Sequence, residues 1–282
     1  MEHAKNILSL KEKLLNRIKN IYVYLFGHKL LKSFNLFLVS IGYHALGINN
    51  PDRTYLKGDN ILLIKLIKKI DIKKNLFLDI GANIGQITEI VLDNTKNLDV
   101  MCFEPQLQNF KKLSEKYKNE KRCKIFNYAV GSKIENKIFF DWIKEGTGFA
   151  SFYKDSVERS LRRIYGEVDR YSTKVDVITL DSIQYENKIE FIKIDVEGHE
   201  FEVLKGARKS IDTHKPQYIL LEFNEYNVES KVFLKDLIDF LYNYKIFRVI
   251  PGGNILELNN PYNPFTHEVF ATQMILFIKN KN

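Results

Sequence analysis

Asp195, Glu197, His199 and Glu200 fall within six residues, in Ile194-Asp195-Val196-Glu197-Gly198-His199-Glu200. Carboxylates and an imidazole at that spacing can take a proton from a hydroxyl. Histidine titrates near neutrality, and a neighbouring acid can orient it or serve as the base instead. Asp195, His199 and Glu197 are therefore the candidate catalytic residues. Residues two apart on a helix face differently, so all of them need not share one task. Glu200 and Glu202 can favour a helix N-terminus electrostatically. Glu222 and Asn224 follow the apolar run Tyr218–Leu221, and His267 precedes the run Gln273–Ile278; these three are candidate acceptor contacts. Asp195, Glu197, His199 and Glu222 also include the oxygen and nitrogen donors that a cation uses, but a sequence cannot show convergence and no metal is assigned.

A second stretch, Leu76-Phe77-Leu78-Asp79-Ile80-Gly81-Ala82-Asn83-Ile84-Gly85, runs a buried-strand pattern into a glycine turn. Gly81 and Gly85 bracket the turn, Asn83 can cap, and Ile87, Ile90 and Val91 begin a helical stripe. Glycine lacks a Cβ, so the backbone there can approach a ligand closely. A dinucleotide fingerprint wants glycine at the first, third and sixth places; here those are Gly81, Asn83 and Gln86. The nicotinamide reading loses its middle glycine, and no Lys-Ser or Lys-Thr pair suggests a phosphate loop. Asp79, ending the strand, would repel phosphate and attract an ammonium or sulfonium. S-adenosylmethionine carries both.

Val100–Phe103 reads as the next buried strand and ends in Glu104-Pro105, 25 residues after Asp79. A carboxylate there can accept both hydroxyls of a ribose. A third strand, Lys124 to Val130, would bring Asn127 to Gly131 beside the adenine. Strands alternating with helices, each ending in a polar residue, describe an α/β doubly wound sheet with ligand groups along its carboxyl edge. Asp195, ending a fourth strand across the switch point from Gly81, would face the methyl donor. The expected cofactor contacts are Asp79, Gly81, Ala82, Asn83, Gly85, Glu104, Pro105, Asn127, Ala129 and Asp195.

Five ordered words carry a family resemblance. They are Leu78 to Gly85, Phe103-Glu104-Pro105, Asn127 to Gly131, Thr179-Leu180-Asp181, and Ile192 to Glu200 followed by Val203-Leu204 and Gly206-Ala207. Together they resemble the FkbM family of S-adenosylmethionine-dependent methyltransferases over about residues 54 to 278. The resemblance implies a class I methyltransferase (Rossmann-like) fold, a seven-stranded sheet whose last strand is antiparallel. It also implies methyl transfer, usually to oxygen on sugars or natural products. The expected activity is O-methylation of a sugar or nucleotide-sugar hydroxyl destined for a surface polysaccharide. The alternatives are methylation of a small secondary metabolite and a non-catalytic cofactor-binding partner protein.

The chain has 282 residues, 45% of them apolar, enough for one large α/β domain with an extension. Its net charge is +8, yet no aromatic-plus-basic recognition word appears, so no nucleic-acid partner is expected. Cys102 and Cys123 lack metal-ligand spacing and read as reduced thiols of a cytoplasmic protein. Residues 1–53 are expected to be a helical extension and 54–282 the methyltransferase domain, with an insertion at about 132–180. Ile7 to Leu25 has the spacing of a basic amphipathic helix, and Leu30 to Ile41 is a second apolar stretch. Neither is long enough to span a membrane. A cap on the sheet is the expectation for this extension; peripheral attachment to the inner face of an acidic membrane, or subunit contact through residues 1–41, is the alternative. Homo-oligomerisation is left open. Within the insertion, strands are expected at Lys137–Trp142 and Ser172–Leu180, a turn at Gly146–Gly148, and an arginine-rich segment at Asp155–Tyr171.

Overall fold

The structure is a computed structural model that describes residues 10–49, 58–141, 148–156, 158, 171–258 and 262–280. It divides into two compact units, Met1–Ala45 and Leu46–Asn282, so the division falls after residue 45 rather than after residue 53. The first unit holds α1 (Leu10–Phe26) and α2 (Lys32–Ala45), joined by a 3-10 turn at Lys29–Leu31.

In the second unit, α3 (Gly58–Ile70) precedes β1 (Asn75–Ile80), α4 (Gln86–Asn94), β2 (Leu98–Phe103), α5 (Leu107–Lys116) and β3 (Cys123–Phe126). Then come β4 (Ala129–Val130), β5 (Glu135–Asp141), β6 (Tyr171–Ile178) and β7 (Ile189–Ile194), followed by the short helices α6 (Glu200–Lys205) and α7 (Arg208–His214). The chain continues through β8 (Tyr218–Phe223), α8 (Tyr226–Ser230), α9 (Leu234–Phe240), β9 (Tyr244–Ile250), β10 (Asn254–Glu257) and β11 (Gln273–Lys279). The main sheet has the order β10-β9-β11-β8-β7-β1-β2-β3. Strands β8, β7, β1, β2 and β3 are parallel, and β11 runs antiparallel between β8 and β9. This is the class I methyltransferase architecture, with an eighth strand, β10, added as a hairpin on β9.

Every residue of β1 and β7 is buried, because both faces of the central sheet are covered and successive side chains enter opposite layers. Leu76, Leu78 and Ile80 join Ile192 and Ile194 in one core layer. Phe77 stacks on Phe191 in the other, 4.8 Å between ring centroids, with Leu63, Leu66 and Ile67 of α3.

The expected third strand is two. After Phe126 the chain leaves the main sheet, and the Asn127 amide donates to the carbonyls of Glu104 (2.8 Å) and Pro105 (3.0 Å). Ala129–Val130 then pairs with β6, in a separate sheet of order β4-β6-β5. The two expected strands of the insertion are therefore β5 and β6. Trp142, Gly146-Thr147 and nearly all of the arginine-rich segment, Arg159, Arg162, Arg163 and Arg170 included, lie outside the described residues.

Candidate active site

The carboxyl ends of β1, β2 and β7 and the small sheet line a partly open cavity. Its lining includes Gly81, Asn83, Glu104, Pro105, Ala129 and Asp195, all expected cofactor contacts, together with Glu197. The turn that shapes it can only be glycine at its first place. Gly81 has φ +77°, and a Cβ there would stand 1.9 Å from the Asp195 carbonyl oxygen. That close approach lets the ends of β1 and β7 meet. Asn83 also lies in the left-handed region, at φ +49°.

Glu104 fastens this turn to the next strand. One carboxylate oxygen accepts from the backbone N–H of Asn83 and the other from the backbone N–H of Gln106, each at 2.8 Å. Burial pushes its pKa up to about 7, against the opposing pull of those two amides. A carboxylate oxygen has two lone pairs, so each retains capacity for a hydroxyl donor.

Asp195 stands on a wall shared by two cavities. The second is also lined by Gly81, Ala82 and Asn83 and extends to Asp59, Asn60 and Leu63 of α3. Beside Asp195 is Lys193, which is 4% exposed and lies 3.3 Å from the Asp195 carboxylate, 3.6 Å from Asp79 and 3.2 Å from the Gly81 carbonyl. Burial lowers the lysine pKa, but Asp195 and Asp79 outweigh it and the net shift is upward. The β1–β7 register places Asp79 opposite Lys193.

That pairing corrects one expectation. Asp79 is fully buried, takes the Thr88 hydroxyl at 2.8 Å and faces Lys193, so it lines neither cavity. Its charge is answered inside the protein. Gly85 is also away from both linings: it caps α4 at φ +82°, where a Cβ would press on Leu113 and Tyr117. Asn127 acts through the Glu104 and Pro105 carbonyls and lines a neighbouring groove instead.

A family model of the methyltransferase FkbM domain matches residues 79–248, more than half of the chain. The chain belongs to the FkbM methyltransferase family. It is an S-adenosylmethionine-dependent methyltransferase. Solved structures similar to it include precorrin-6y C5,15-methyltransferase from Geobacter metallireducens, at TM-score 0.41 and 11% identity over 85% of this chain and 99% of that one. An rRNA methylase from Streptococcus thermophilus has TM-score 0.40 and 10% identity, over 79% and 95% of the two chains. A Streptococcus mutans protein solved in complex with SAH has TM-score 0.41 and 10% identity, over 79% and 96%. None of the curated proteins matches the chain in sequence.

In this FkbM methyltransferase the acids after β7 and β8 converge. Carboxylate oxygens of Asp195, Glu197 and Glu222 lie within 4.8 Å of one another. The Asn224 amide donates to Glu222 (2.6 Å) and to Glu197 (3.0 Å). Burial, reinforced by the negative charge of Asp195 and Glu200, holds the Glu197 pKa well above the usual carboxylate range. Glu222 is raised for the same reason, with Glu197 and Asp195 as its charged neighbours. Glu197 itself adopts φ +52° and is held through its carbonyl, which accepts from Ser151 Oγ at 2.6 Å.

The two histidines stand elsewhere. His199 is 4% exposed, packs against Phe152 and Tyr153, and lies 3.2 Å from the Tyr153 hydroxyl. Burial and the charge of Lys137 push its pKa down to about 3, so the ring is neutral, and it lines neither cavity. His267 is buried against the Asn263 carbonyl, 2.8 Å away, and lines a different depression with Lys235 and Tyr262. Neither joins the acidic cluster.

Sequence reasoning missed Lys193, Gln106, Phe139 and Phe152, while Tyr128 lies in the expected Asn127–Gly131 stretch. Lys193 had a signal: it is the charged residue nearest the end of an apolar strand. The aromatic residues Phe139 and Phe152 had none, since only the small sheet brings them to the cavity.

Proposed function

We propose that the chain methylates a hydroxyl oxygen of a sugar or nucleotide-sugar. The observation that carries the reading is the cluster of Asp195, Glu197 and Glu222 bridged by Asn224, of which Asp195 and Glu197 line the cavity while Glu222 and Asn224 stand behind them. Carboxylates and an amide accept from and donate to neighbouring hydroxyls, as a polyol acceptor requires. Two of the acids have raised pKa values, which makes them stronger bases than ordinary carboxylates once ionised.

The cavity suits the methyl donor. Glu104 and Asp195 supply carboxylates, and among the described residues no lysine or arginine lines it, which favours a cationic ligand over a pyrophosphate. Bound there, S-adenosylmethionine supplies an electrophilic methyl group on a sulfonium. Glu104 would take the ribose hydroxyls, and the Gly81–Asn83 turn would admit the donor backbone-close. Glu197 would remove the hydroxyl proton, Asn224 would hold Glu197 in place, and Asp195, fixed by Lys193, would orient the acceptor at the shared wall. The assignment of a surface polysaccharide as the final destination rests on the family resemblance alone.

The test is transfer of labelled methyl from S-adenosylmethionine to a panel of nucleotide-sugars, oligosaccharides and amine-bearing metabolites. Label in a base-stable ether on a sugar supports the reading. Label only on nitrogen, or on a non-sugar hydroxyl, overturns it.

A further inference from the structure

The first unit carries an apolar and basic surface of its own. None of the side chains described in α1 and α2 is buried. In α1 the apolar residues Leu14, Leu15, Ile18, Ile21 and Leu25 are 46–59% exposed, and by helical spacing they fall on one face. In α2, Leu36, Phe37, Val39 and Ile41 are 49–59% exposed, and no charged side chain occurs from Ser33 to Tyr43. Only Ser33, Asn35, Ser40 and His44 interrupt its apolar surface after Lys32, and so much exposed apolar side chain on an uncharged helix suits a non-aqueous surrounding. At 14 residues it is about 21 Å long, short of a bilayer's hydrocarbon core. No helix among the described residues is long and apolar enough to cross a membrane.

Charge identifies the surrounding. Between residues 10 and 45 stand Lys11, Lys13, Arg17, Lys19, Lys29 and Lys32 against the single acid Glu12. A second copy of the same arm would bring like charges together, whereas an anionic lipid surface complements them. The arm is also shaped locally. The Tyr22 hydroxyl donates to Asn35 Oδ1 at 2.5 Å, the Asn35 amide donates to the Phe26 carbonyl at 2.9 Å, and the Tyr22 and Phe26 rings stack at 5.0 Å. These contacts fix an elbow between a basic amphipathic helix and an apolar one. A basic amphipathic helix lies in the plane of a headgroup region.

We propose that residues 10–45 dock this enzyme on an anionic phospholipid surface, with α1 and α2 lying in the interface. The inference is independent of the acceptor's identity. It is tested by co-sedimentation of the full chain with extruded vesicles of phosphatidylcholine alone, or of phosphatidylcholine and phosphatidylglycerol in equal parts. Binding to the mixed vesicles, weakened by salt and at least about tenfold weaker without phosphatidylglycerol, is expected, since each cation near such a surface contributes about fivefold. Two variants separate the contributions: Lys11→Glu with Lys13→Glu and Lys19→Glu, and Leu36→Asn with Phe37→Asn and Ile41→Asn. Each is expected to remain in the supernatant while still binding S-adenosylhomocysteine, which shows that the catalytic unit is folded. The proposal fails if the wild type does not sediment with the mixed vesicles, if it binds both vesicle types equally, or if both variants sediment like the wild type. An arm-dependent dimer that ignores vesicles also overturns it.

Discussion

Lys193→Met isolates the buried pairing at the base of the site. The lysine is 4% exposed and its partner Asp79 is 0% exposed. Methionine keeps the length and apolar stem of the side chain, so the loss is chiefly electrostatic. Removing one partner of a buried ion pair costs about 3–5 kcal/mol, because the other charge is left uncompensated. Asp79 retains the Thr88 hydroxyl on one oxygen, which places the expected loss toward 3 kcal/mol. At roughly 2–4 °C per kcal/mol for a domain of this size, the melting temperature falls by about 6–12 °C. The double variant Lys193→Met/Asp79→Asn removes the orphaned charge and is expected to recover more than about half of the loss. Urea unfolding of the wild type, both single variants and the double variant gives the coupling. Calorimetry with S-adenosylhomocysteine follows the site, since Asp195 also loses its 3.3 Å cation. A loss below about 1 kcal/mol in the single variant, or a double variant no more stable than Lys193→Met, refutes the reasoning.

Gly81→Ala is expected to abolish detectable S-adenosylhomocysteine binding, since its Cβ would overlap the Asp195 carbonyl oxygen at 1.9 Å; calorimetry on folded protein checks this. Glu197→Gln is expected to lower kcat by about 10²–10⁴. The wild-type rate should rise with pH, because the raised pKa of Glu197 leaves it protonated until the pH passes that value, and the variant's residual rate should lose this rise. With His199→Gln, turnover and its pH profile are expected to persist, because the ring lines neither cavity. Its folded pKa is about 3, below the unfolded value near 6.5, so the unfolded chain binds the extra proton and stability falls as pH drops between those values. That slope is about 1.4 kcal/mol per pH unit at most, and urea midpoints should show it in the wild type relative to His199→Gln. Turnover that persists after rigorous chelation is expected if the three carboxylates serve the acceptor directly; its loss, restored by Mg²⁺, would assign them to a cation.

Much of the catalytic unit was legible in short stretches of chain. Leu76 to Gly85 specified strand, turn and helix together, because burial on both faces, a positive-φ glycine and a helical stripe are all local signals. For the same reason Glu104 and Asp195 could be placed at strand ends before any pairing was known, and both line the cavity. The Lys124–Val130 run reads as one strand, since nothing in its composition reveals that Asn127 turns the chain by bonding the two carbonyls just past the end of β2. The short edge strand β10 has only the adjacent apolar pair Ile255-Leu256, with no alternation to mark it, and all four of its residues are exposed.

By itself, then, the sequence determined the strand-turn-helix order, the carboxyl-edge acids and the apolar, basic character of the first unit. Tertiary structure decided which acids act together. Parallel register between β1 and β7 set Asp79 against Lys193, and it lines neither cavity. The path of the chain after β7 and β8 brought Glu197 to Glu222 and Asn224, while the same turn carried His199 into an aromatic layer with Phe152 and Tyr153. Local patterns report which face of an element is apolar; the direction of a polar side chain at a strand end depends on its neighbours in space, and those are chosen by strand pairing and packing.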